Sequence, residues 1–482
     1  MIDWLACALV RVLGGLIALL PPSVAVWVGE RLGALAYWLQ PKRTRIGVRN
    51  LRAAFDGTLT VEQARRTIRA CYRQIGAGFM EMVRLPRIDR AYVDRYVTLD
   101  GYRHVETAVA SGKPVIFLTG HYGNWELAAI AGALLGHPMV ALARVQQRLP
   151  RLYRLLVSYR ESKGCRVIHQ GNAMKHLLAA LAQRQPVGIV ADQASRQGVF
   201  VNFFGRPALF ALGPFELAYR KDALILPVMM RRIRGPFHRL VIEPPMTLSR
   251  HVPRALAVRE GAQRFAALLA RHIAADPGQW LWMHKRWKRT PARRALVLSD
   301  GKAGHVKQSL ALVSALRERC PALSHDVVEV RYRSRLRRAA ALLWSWWMPS
   351  GAGETRCLRW TLTRASQGRL LTRYADLVIS CGASLAPVNL LWARVNGARS
   401  VVVMNPAPLP LGRFSLVVAP RHDALPRRPN VVCTDGAVVH RMPEAALREA
   451  RERLQAQLGG GVLAAAVGAP EPPAPPLPAE KT

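Results

Sequence analysis

Val115-Ile116-Phe117-Leu118-Thr119-Gly120-His121-Tyr122-Gly123-Asn124-Trp125-Glu126 is the stretch on which the reading of this chain turns. Its first five residues are apolar or β-branched and follow Pro114, the pattern of a buried strand. Leu127 to Leu135 then reads as a helix, so the seven residues from Gly120 to Glu126 form a turn between strand and helix. That turn carries a histidine and a carboxylate five positions apart, a base and a partner to orient it. Its two glycines let a substrate approach the backbone. Amides at a helix N-terminus offer donors to developing negative charge. His121 and Glu126 are therefore the expected catalytic pair, with Gly123 and Asn124 expected against the substrate.

Outward from this turn, further strand patterns fall at Met139–Ala143, Val187–Ala191, Leu224–Val228 and Leu240–Ile242. Helical patterns at 125–136, 150–163, 173–184, 212–222 and 254–275 separate them. The alternation predicts an α/β sheet flanked by helices, with the turn at a strand's C-terminal edge. Upstream, Cys71, Ile75, Phe79, Met82 and Val83 recur at helical spacing within 60–85 and are expected as core.

His-x-x-x-x-Glu alone is a loose pattern, but GHYGNWE in its strand–turn–helix setting resembles the catalytic block of the bacterial late (lauroyl/myristoyl) acyltransferases of lipid A biosynthesis. That family belongs to the wider group of glycerolipid acyltransferases with an HX4(D/E) motif. Further blocks follow in the same order: Arg43 to Leu51 with Ala54-Phe55, then Val190-Ala191-Asp192-Gln193, then Val201 to Ala208 including Phe203-Phe204-Gly205-Arg206, and Gln279-Trp280-Leu281-Trp282-Met283-His284-Lys285-Arg286-Trp287. The resemblance covers roughly residues 1–290 and implies a glycerolipid-acyltransferase-like mixed sheet. It departs at Arg144-Val145-Gln146-Gln147, where the family carries an asparagine after its arginine and this chain offers Gln146 or Gln147.

The resemblance implies transfer of a fatty acyl chain from acyl carrier protein to a hydroxyl of a glycolipid, a lipid A precursor, with no cofactor. The acceptor hydroxyl needs only its proton removed, a task for His121 as general base, with Glu126 holding the ring. Turn amides around Gly123, or the Arg144 guanidinium, would meet the oxyanion; losing such a donor typically costs about 3 kcal/mol of barrier. Arg144 and Arg206 are expected to anchor phosphates or the acidic carrier. Asp192, with Gln193 beside it, is left between capping the loop after a buried strand and touching substrate. Alternatives are another lysolipid or glycolipid acceptor, or a glycosyltransferase-like or binding protein that uses its first part only as a membrane anchor.

The chain has 70 Lys and Arg against 30 Asp and Glu, a formal +40. Nucleic acid, an anionic membrane and an acidic or phosphorylated partner all answer to such charge. Zinc-finger spacing and an RNA-binding sheet motif are both missing, so no nucleic acid is expected. An inner-membrane surface and acyl carrier protein account for the charge. Trp4 to Leu20 is apolar except for Arg11 and ends at Pro21-Pro22. It is read as a retained N-terminal membrane helix, either spanning at the short limit or lying in the interface. Val24 to Leu39, with Glu30 and Arg31, lies on the membrane, and Lys42, Arg43, Arg45, Arg49 and Arg52 mark the cytoplasmic side. The expected location is the bacterial inner membrane with the catalytic part facing the cytoplasm. Seven scattered cysteines give no metal set or disulfide framework.

After Lys288-Arg289-Thr290-Pro291, a new unit opens with Ala295 to Ser299 and a loop, Asp300-Gly301-Lys302-Ala303-Gly304-His305. This loop, with Ala375 to Ser384 and Val401 to Pro406, resembles the bacterial relatives of the mitochondrial-fission ELM-type family, glycosyltransferase-like proteins, over roughly 294–440. The resemblance implies a Rossmann-like α/β domain. A second nucleotide-binding half does not follow, so this part is expected to lack a complete donor site. The predicted organisation is a membrane anchor (1–40), an acyltransferase domain (41–290), the ELM-like domain (294–440) and a disordered Pro/Ala-rich tail (459–482).

Overall fold

A computed structural model of the 482-residue chain describes residues 2–143, 149–169, 173–193, 197–348, 353–438, 448–449 and 452–453. The tail at 459–482, Arg144, Gln146 and Gln147 lie outside the described residues.

Five helices open the chain: α1 (Ile2–Leu19), α2 (Pro22–Leu39), α3 (Pro41–Ala54), α4 (Val61–Val83) and α5 (Arg90–Tyr96). There follow β1 (Val97–Asp100), α6 (Arg103–Ala110), β2 (Val115–Thr119), α7 (Trp125–Leu134), β3 (Val140–Ala143), α8 (Pro150–Glu161), β4 (Arg166–His169), α9 (Ala173–Ala182) and β5 (Val187–Val190). A hairpin, β6 (Val199–Phe203) and β7 (Arg206–Phe210), precedes α10 (Gly213–Lys221), β8 (Leu224–Arg234), β9 (Phe237–Ile242) and α11 (Arg254–Ala275). Seven of these strands form one mixed sheet in the order β1-β9-β8-β2-β5-β3-β4, antiparallel only between β8 and β9. β2 is central and every one of its residues is buried. A strand covered by helices on both faces has no polar side, which is why its sequence runs apolar without alternation.

The second unit holds β10 (Arg293–Ser299), α12 (Ala303–Arg319), β11 (Leu323–Glu329), α13 (Arg335–Trp347), α14 (Glu354–Thr361), α15 (Arg364–Leu370), β12 (Leu377–Cys381), α16 (Ala386–Asn396), β13 (Arg399–Val403), β14 (Leu416–Pro420) and β15 (Val431–Thr434). Its six strands are all parallel, in the order β11-β10-β12-β13-β14-β15. Both sheets are flanked by helices, as the sequence predicts.

The N-terminus corrects one expectation. Among the described residues, no helix is long and apolar enough to cross a membrane. The helix α1 has 18 residues, about 27 Å at 1.5 Å per residue, against a hydrocarbon core of about 30 Å. It is also tied to the protein. Asp3 accepts amides of Arg151 and Leu152 at the start of α8, and Arg84 donates to the carbonyls of Ile17 and Leu20, each at 2.5 Å. The α2 helix packs backbone to backbone on α4, where Gly29 and Gly33 face Gly76 and Tyr72 with no room for a Cβ. Its other face leaves Trp27, Leu32, Leu35 and Trp38 exposed.

The two units are joined by a network centred on Asp376. Its carboxylate accepts from Arg49 (3.0 Å), from Arg206 (3.1 Å), from the Tyr374 hydroxyl (2.7 Å) and from the Arg294 amide (3.0 Å). Buried Arg52 reaches Asn396 (2.5 Å) and the Arg373 carbonyl (2.6 Å), and its guanidinium stacks on Trp392. Asp56 pairs with Arg294 and accepts the Tyr374 amide.

Candidate active site

The strands β2 and β5 are parallel neighbours, with Thr119 beside Val190. Two residues beyond each of these positions stand His121 and Asp192, so the sheet itself sets them side by side. The Nδ1 of His121 lies 2.5 Å from Asp192 Oδ1, and the His121 amide donates to Asp192 Oδ2 at 2.7 Å. The indole N–H of Trp280 donates to the same oxygen at 2.6 Å. Asp192 is fully buried. Burial alone would raise its pKa, but the charge of His121, their hydrogen bond, nearby His284 and the Trp280 donor outweigh it and hold the carboxyl well below the usual range. Burial likewise disfavours a charged His121, yet Asp192 and, more weakly, Glu126 raise its pKa above the ordinary histidine value. With Nδ1–H given to Asp192, the lone pair sits on Nε2, where the Gln193 amide nitrogen approaches to 3.1 Å. Trp125 packs edge-on against the imidazole.

The structure assigns the ring-orienting hydrogen bond to Asp192 in place of Glu126. Glu126, in the first turn of α7, is held by Arg160 of α8 through two bonds of 2.7 and 2.8 Å. A carboxylate already chelated by a guanidinium is not turned toward the imidazole, and it acts on His121 through its charge alone.

The turn amides are also spent. Those of His121, Tyr122, Gly123 and Asn124 donate to Asp192, Gly120, Gln279 and Met230 respectively. None of these four is left as an oxyanion donor, contrary to the expectation for Gly123. What Gly123 supplies is geometry: its φ is +57° and a Cβ would overlap the Met230 carbonyl. Asn124 is buried; its Oδ1 caps α7 by accepting the Leu127 amide (3.0 Å), and its Nδ2 donates to Glu81 (2.6 Å). Glu81 in turn holds Arg232 through bonds of 2.8 and 2.5 Å. Arg206 is corrected as well. It bonds Asp376 and stacks on Tyr374, joining the two units instead of anchoring a phosphate.

A cavity of about 900 Å³ opens at His121. Trp125, Glu126, Arg160 and Gln193 line it near the histidine, and Val105, Phe117, Ala128, Val228 and Leu240 line its apolar body. It extends past the far end of α7, about 15 Å away at 1.5 Å per residue, to His137, whose Nε2 meets the Tyr102 hydroxyl at 2.9 Å. Ile75, Phe79 and Met82, expected as core, line this cavity, while Cys71 and Val83 are buried. Volume and lining suit a long apolar group with a polar end. Among the described residues no group of His, Cys, Asp and Glu is placed to hold a metal.

Sequence reading missed Arg160, Trp280 as a bond to Asp192, and the buried Glu81–Arg232 pair. Trp280 was within reach, since the Gln279–Trp287 block had been singled out; Arg160 lies in an unremarkable amphipathic helix with no local signal.

A His–Asp couple at the edge of two parallel strands thus opens on an apolar cavity, an arrangement suited to a base beside a long apolar group. Residues 1–289 match the family model described as bacterial lipid A biosynthesis acyltransferase, and the chain belongs to that family of acyltransferases. The chain is 27% identical to a phosphatidylinositol mannoside acyltransferase of Mycobacterium tuberculosis over 227 residues, 45% of this chain and 69% of that protein. It is 23% identical to the Escherichia coli lipid A biosynthesis palmitoleoyltransferase over 278 residues, 56% of this chain and 87% of the relative. The Escherichia coli lauroyltransferase is 23% identical over 280 residues, 57% and 89% of the two chains. Residues 303–471 match the model described as mitochondrial fission ELM1.

Proposed function

We propose that the protein transfers a fatty acyl chain from the thioester of acyl carrier protein to a hydroxyl of a glycolipid, a lipid A precursor. The observation that carries this reading is the His121–Asp192 couple at the opening of the 900 Å³ apolar cavity. The acyl chain fills the cavity and its thioester carbonyl lies at His121. Nε2 removes the acceptor hydroxyl's proton as oxygen attacks that carbonyl, and Asp192 stabilises the imidazolium that forms. In this reading the Gln193 amide, which lies 3.1 Å from Nε2, turns from the imidazole to donate to the oxyanion, a role shared with Arg144. The thiol of the carrier leaves with the proton returned from His121. Glu126 and Arg160 form a fixed charged rim against which the carrier's phosphopantetheine or the acceptor's polar head is set.

The exposed apolar face of α2 and the exposed Lys42, Arg43 and Arg45 support attachment at the cytoplasmic face of the bacterial inner membrane, helices lying in the interface beside anionic lipid. A mannosylated phosphoinositide is the second acceptor to consider, because the mycobacterial relatives match at 27 to 28% identity.

The test is transfer of labelled acyl chain from acyl carrier protein to a panel of lipid acceptors, wild type beside His121→Ala with folding of the variant checked. Transfer to the lipid A precursor, lost in the variant, supports the reading. Preference for a mannolipid moves the acceptor, and equal transfer by both proteins removes His121 from the mechanism.

A further inference from the structure

The helix α13 in the second unit is apolar on two sides, one packed inward and one left exposed. Its packed face is made by Ala341 and Ser345, both buried, with Leu342, Trp344 and Trp346 half-buried against the core. Leu336, Leu343 and Trp347, seven and four residues apart and so on one helical face, are 83, 57 and 76% exposed. Trp360 of α14, 53% exposed, stands at the N-terminal end of this ridge. Arg337 lies 4.8 Å over its ring and donates to its carbonyl.

Around the ridge the charge is of one sign. Arg331, Arg333, Arg335, Arg337 and Arg338 fall within eight residues, and Arg356 and Arg359 follow on α14. Arg331 is paired with Glu329 and Arg359 with Glu62. The carboxylate within α13 and α14 is Glu354, which is buried. A ridge of leucine and tryptophan rimmed by arginine is the composition of a helix that lies in a headgroup layer. Thirteen residues are too few to span a bilayer.

We propose that this face of the second unit rests on an anionic lipid surface. Leu343 and Trp347 enter the boundary of the acyl region, and the exposed arginines beside them meet headgroup phosphates. Charge decides the occupant: acidic lipid supplies dense negative charge, whereas a second copy would bring another +40 against the same arginines. The surface is fixed to the rest of the chain. Arg394 of α16 holds the C-terminal end of α13 through Ser345 and Met348, and Asn396 at the end of α16 is bonded to Arg52 of α3. The second unit thereby offers a lipid contact of its own. The proposal does not depend on the reaction at His121.

The full-length chain is floated with vesicles of phosphatidylglycerol and phosphatidylcholine, and with phosphatidylcholine alone. Leu343→Glu/Trp347→Glu is expected to weaken partitioning to the anionic vesicles about tenfold or more, with thermal unfolding unchanged because both side chains are exposed. A second measurement places a polarity-sensitive dye at Leu343→Cys, with Cys7, Cys320 and Cys433 replaced by serine. Its emission shifts to the blue on phosphatidylglycerol-containing vesicles. Unchanged partitioning of the double variant, or a dye that stays in water while the protein is vesicle-bound, overturns the proposal. So does a lipid-free dimer in sedimentation velocity that the double variant dissociates, since a second copy would then cover the face. Should the double variant misfold, the dye alone decides.

Discussion

Replacing Asp192 by Asn tests the catalytic reading at its centre. The two carboxylate oxygens accept three donors: His121 Nδ1 at 2.5 Å, the His121 amide at 2.7 Å and the Trp280 indole at 2.6 Å. An asparagine has one oxygen for these sites. Two of the three donors meet at Oδ2, so the amide oxygen takes that place and its NH2 faces Nδ1. An N–H opposite Nδ1 requires a lone pair there, which moves the imidazole proton to Nε2, where the base must be free. The ring stays in position in the wrong tautomer. Loss of the correct tautomer in an otherwise intact His–Asp couple costs about 10⁴-fold in kcat, about 5 kcal/mol at 1.36 kcal/mol per decade. The variant also loses the charge that raises the His121 pKa, so any residual kcat/KM should have its acidic limb at lower pH than wild type. The assay is steady-state acyl transfer across pH, with nitrogen NMR of the labelled His121 ring to report the tautomer. Activity within tenfold of wild type, or a ring that keeps Nδ1–H, would refute the reasoning.

Glu126→Gln keeps one acceptor for Arg160 but removes the charge beside His121. It should lower kcat by about 10- to 100-fold, less than Asp192→Asn, because it orients no reacting group; a loss as large as that of Asp192→Asn would return Glu126 to the first rank. Gly132 lines the cavity and its hypothetical Cβ lies 3.1 Å from Met139 Cε, so Gly132→Leu should shift preference to shorter acyl donors, read as the ratio of kcat/KM across chain lengths. Asp376→Ala leaves Arg206 and Arg49 without their shared carboxylate and should cost about 2–3 kcal/mol in urea unfolding, below the scale for a fully buried ion pair because Arg49 is half exposed. His238 and His284 are pushed down to about 4, each chiefly by burial, so both stay neutral in the fold while the unfolded chain binds their protons below about 6.5. Their contribution is present above pH 6.5 and is lost as pH falls toward 4, up to about 3 kcal/mol each; a urea midpoint that is flat over this window would contradict the burial of both rings.

The helices α7 to α11 and the strands β2, β3, β5, β8 and β9 are legible because burial on both faces writes long apolar runs, and amphipathic helices write their own period. Observed α7, α8, α9, α10 and α11 lie within two residues of the predicted segments at every boundary. Strands β1, β4 and the β6–β7 hairpin were not anticipated: each is at most five residues and largely half-exposed at its outer positions. The sheet edge placed His121 correctly, since a strand–turn–helix signal is local. Its partner was not, because 71 residues separate His121 from Asp192. That pairing depends on β5 lying beside β2, which periodicity does not specify. A helical stripe also does not distinguish side chains packed in core from side chains lining a cavity: Ile75 and Met82 do both, while Phe79 lines the cavity and is 42% exposed.

The arginine excess has several structural destinations, and they separate what net charge alone joins. Arg232 sits buried against Glu81, fixing the Asn124 cap under the turn that carries His121. Arg49, Arg52 and Arg206 leave the first unit to bind Asp376, Tyr374 and Asn396 of the second. Arg49 and Arg52 stand on the segment that leads out of α2, and Arg206 opens the second strand of the hairpin that follows Asp192 and Gln193. In that hairpin Phe203 packs on Trp280, and Trp280 donates to Asp192. The second unit is therefore bonded both to α3, which follows α2, and to the β6–β7 hairpin, which follows Asp192 and Gln193. An appendage on a linker would touch neither. Cations committed in this way are not available to lipid or carrier protein; on the proposed reading the charge offered to a partner includes exposed Lys42, Arg43 and Arg45 beside α2 and the exposed arginines around Leu343 and Trp347. Salt should then weaken membrane attachment while leaving the joint between the two units largely intact, because buried and half-buried pairs are screened far less than exposed charges.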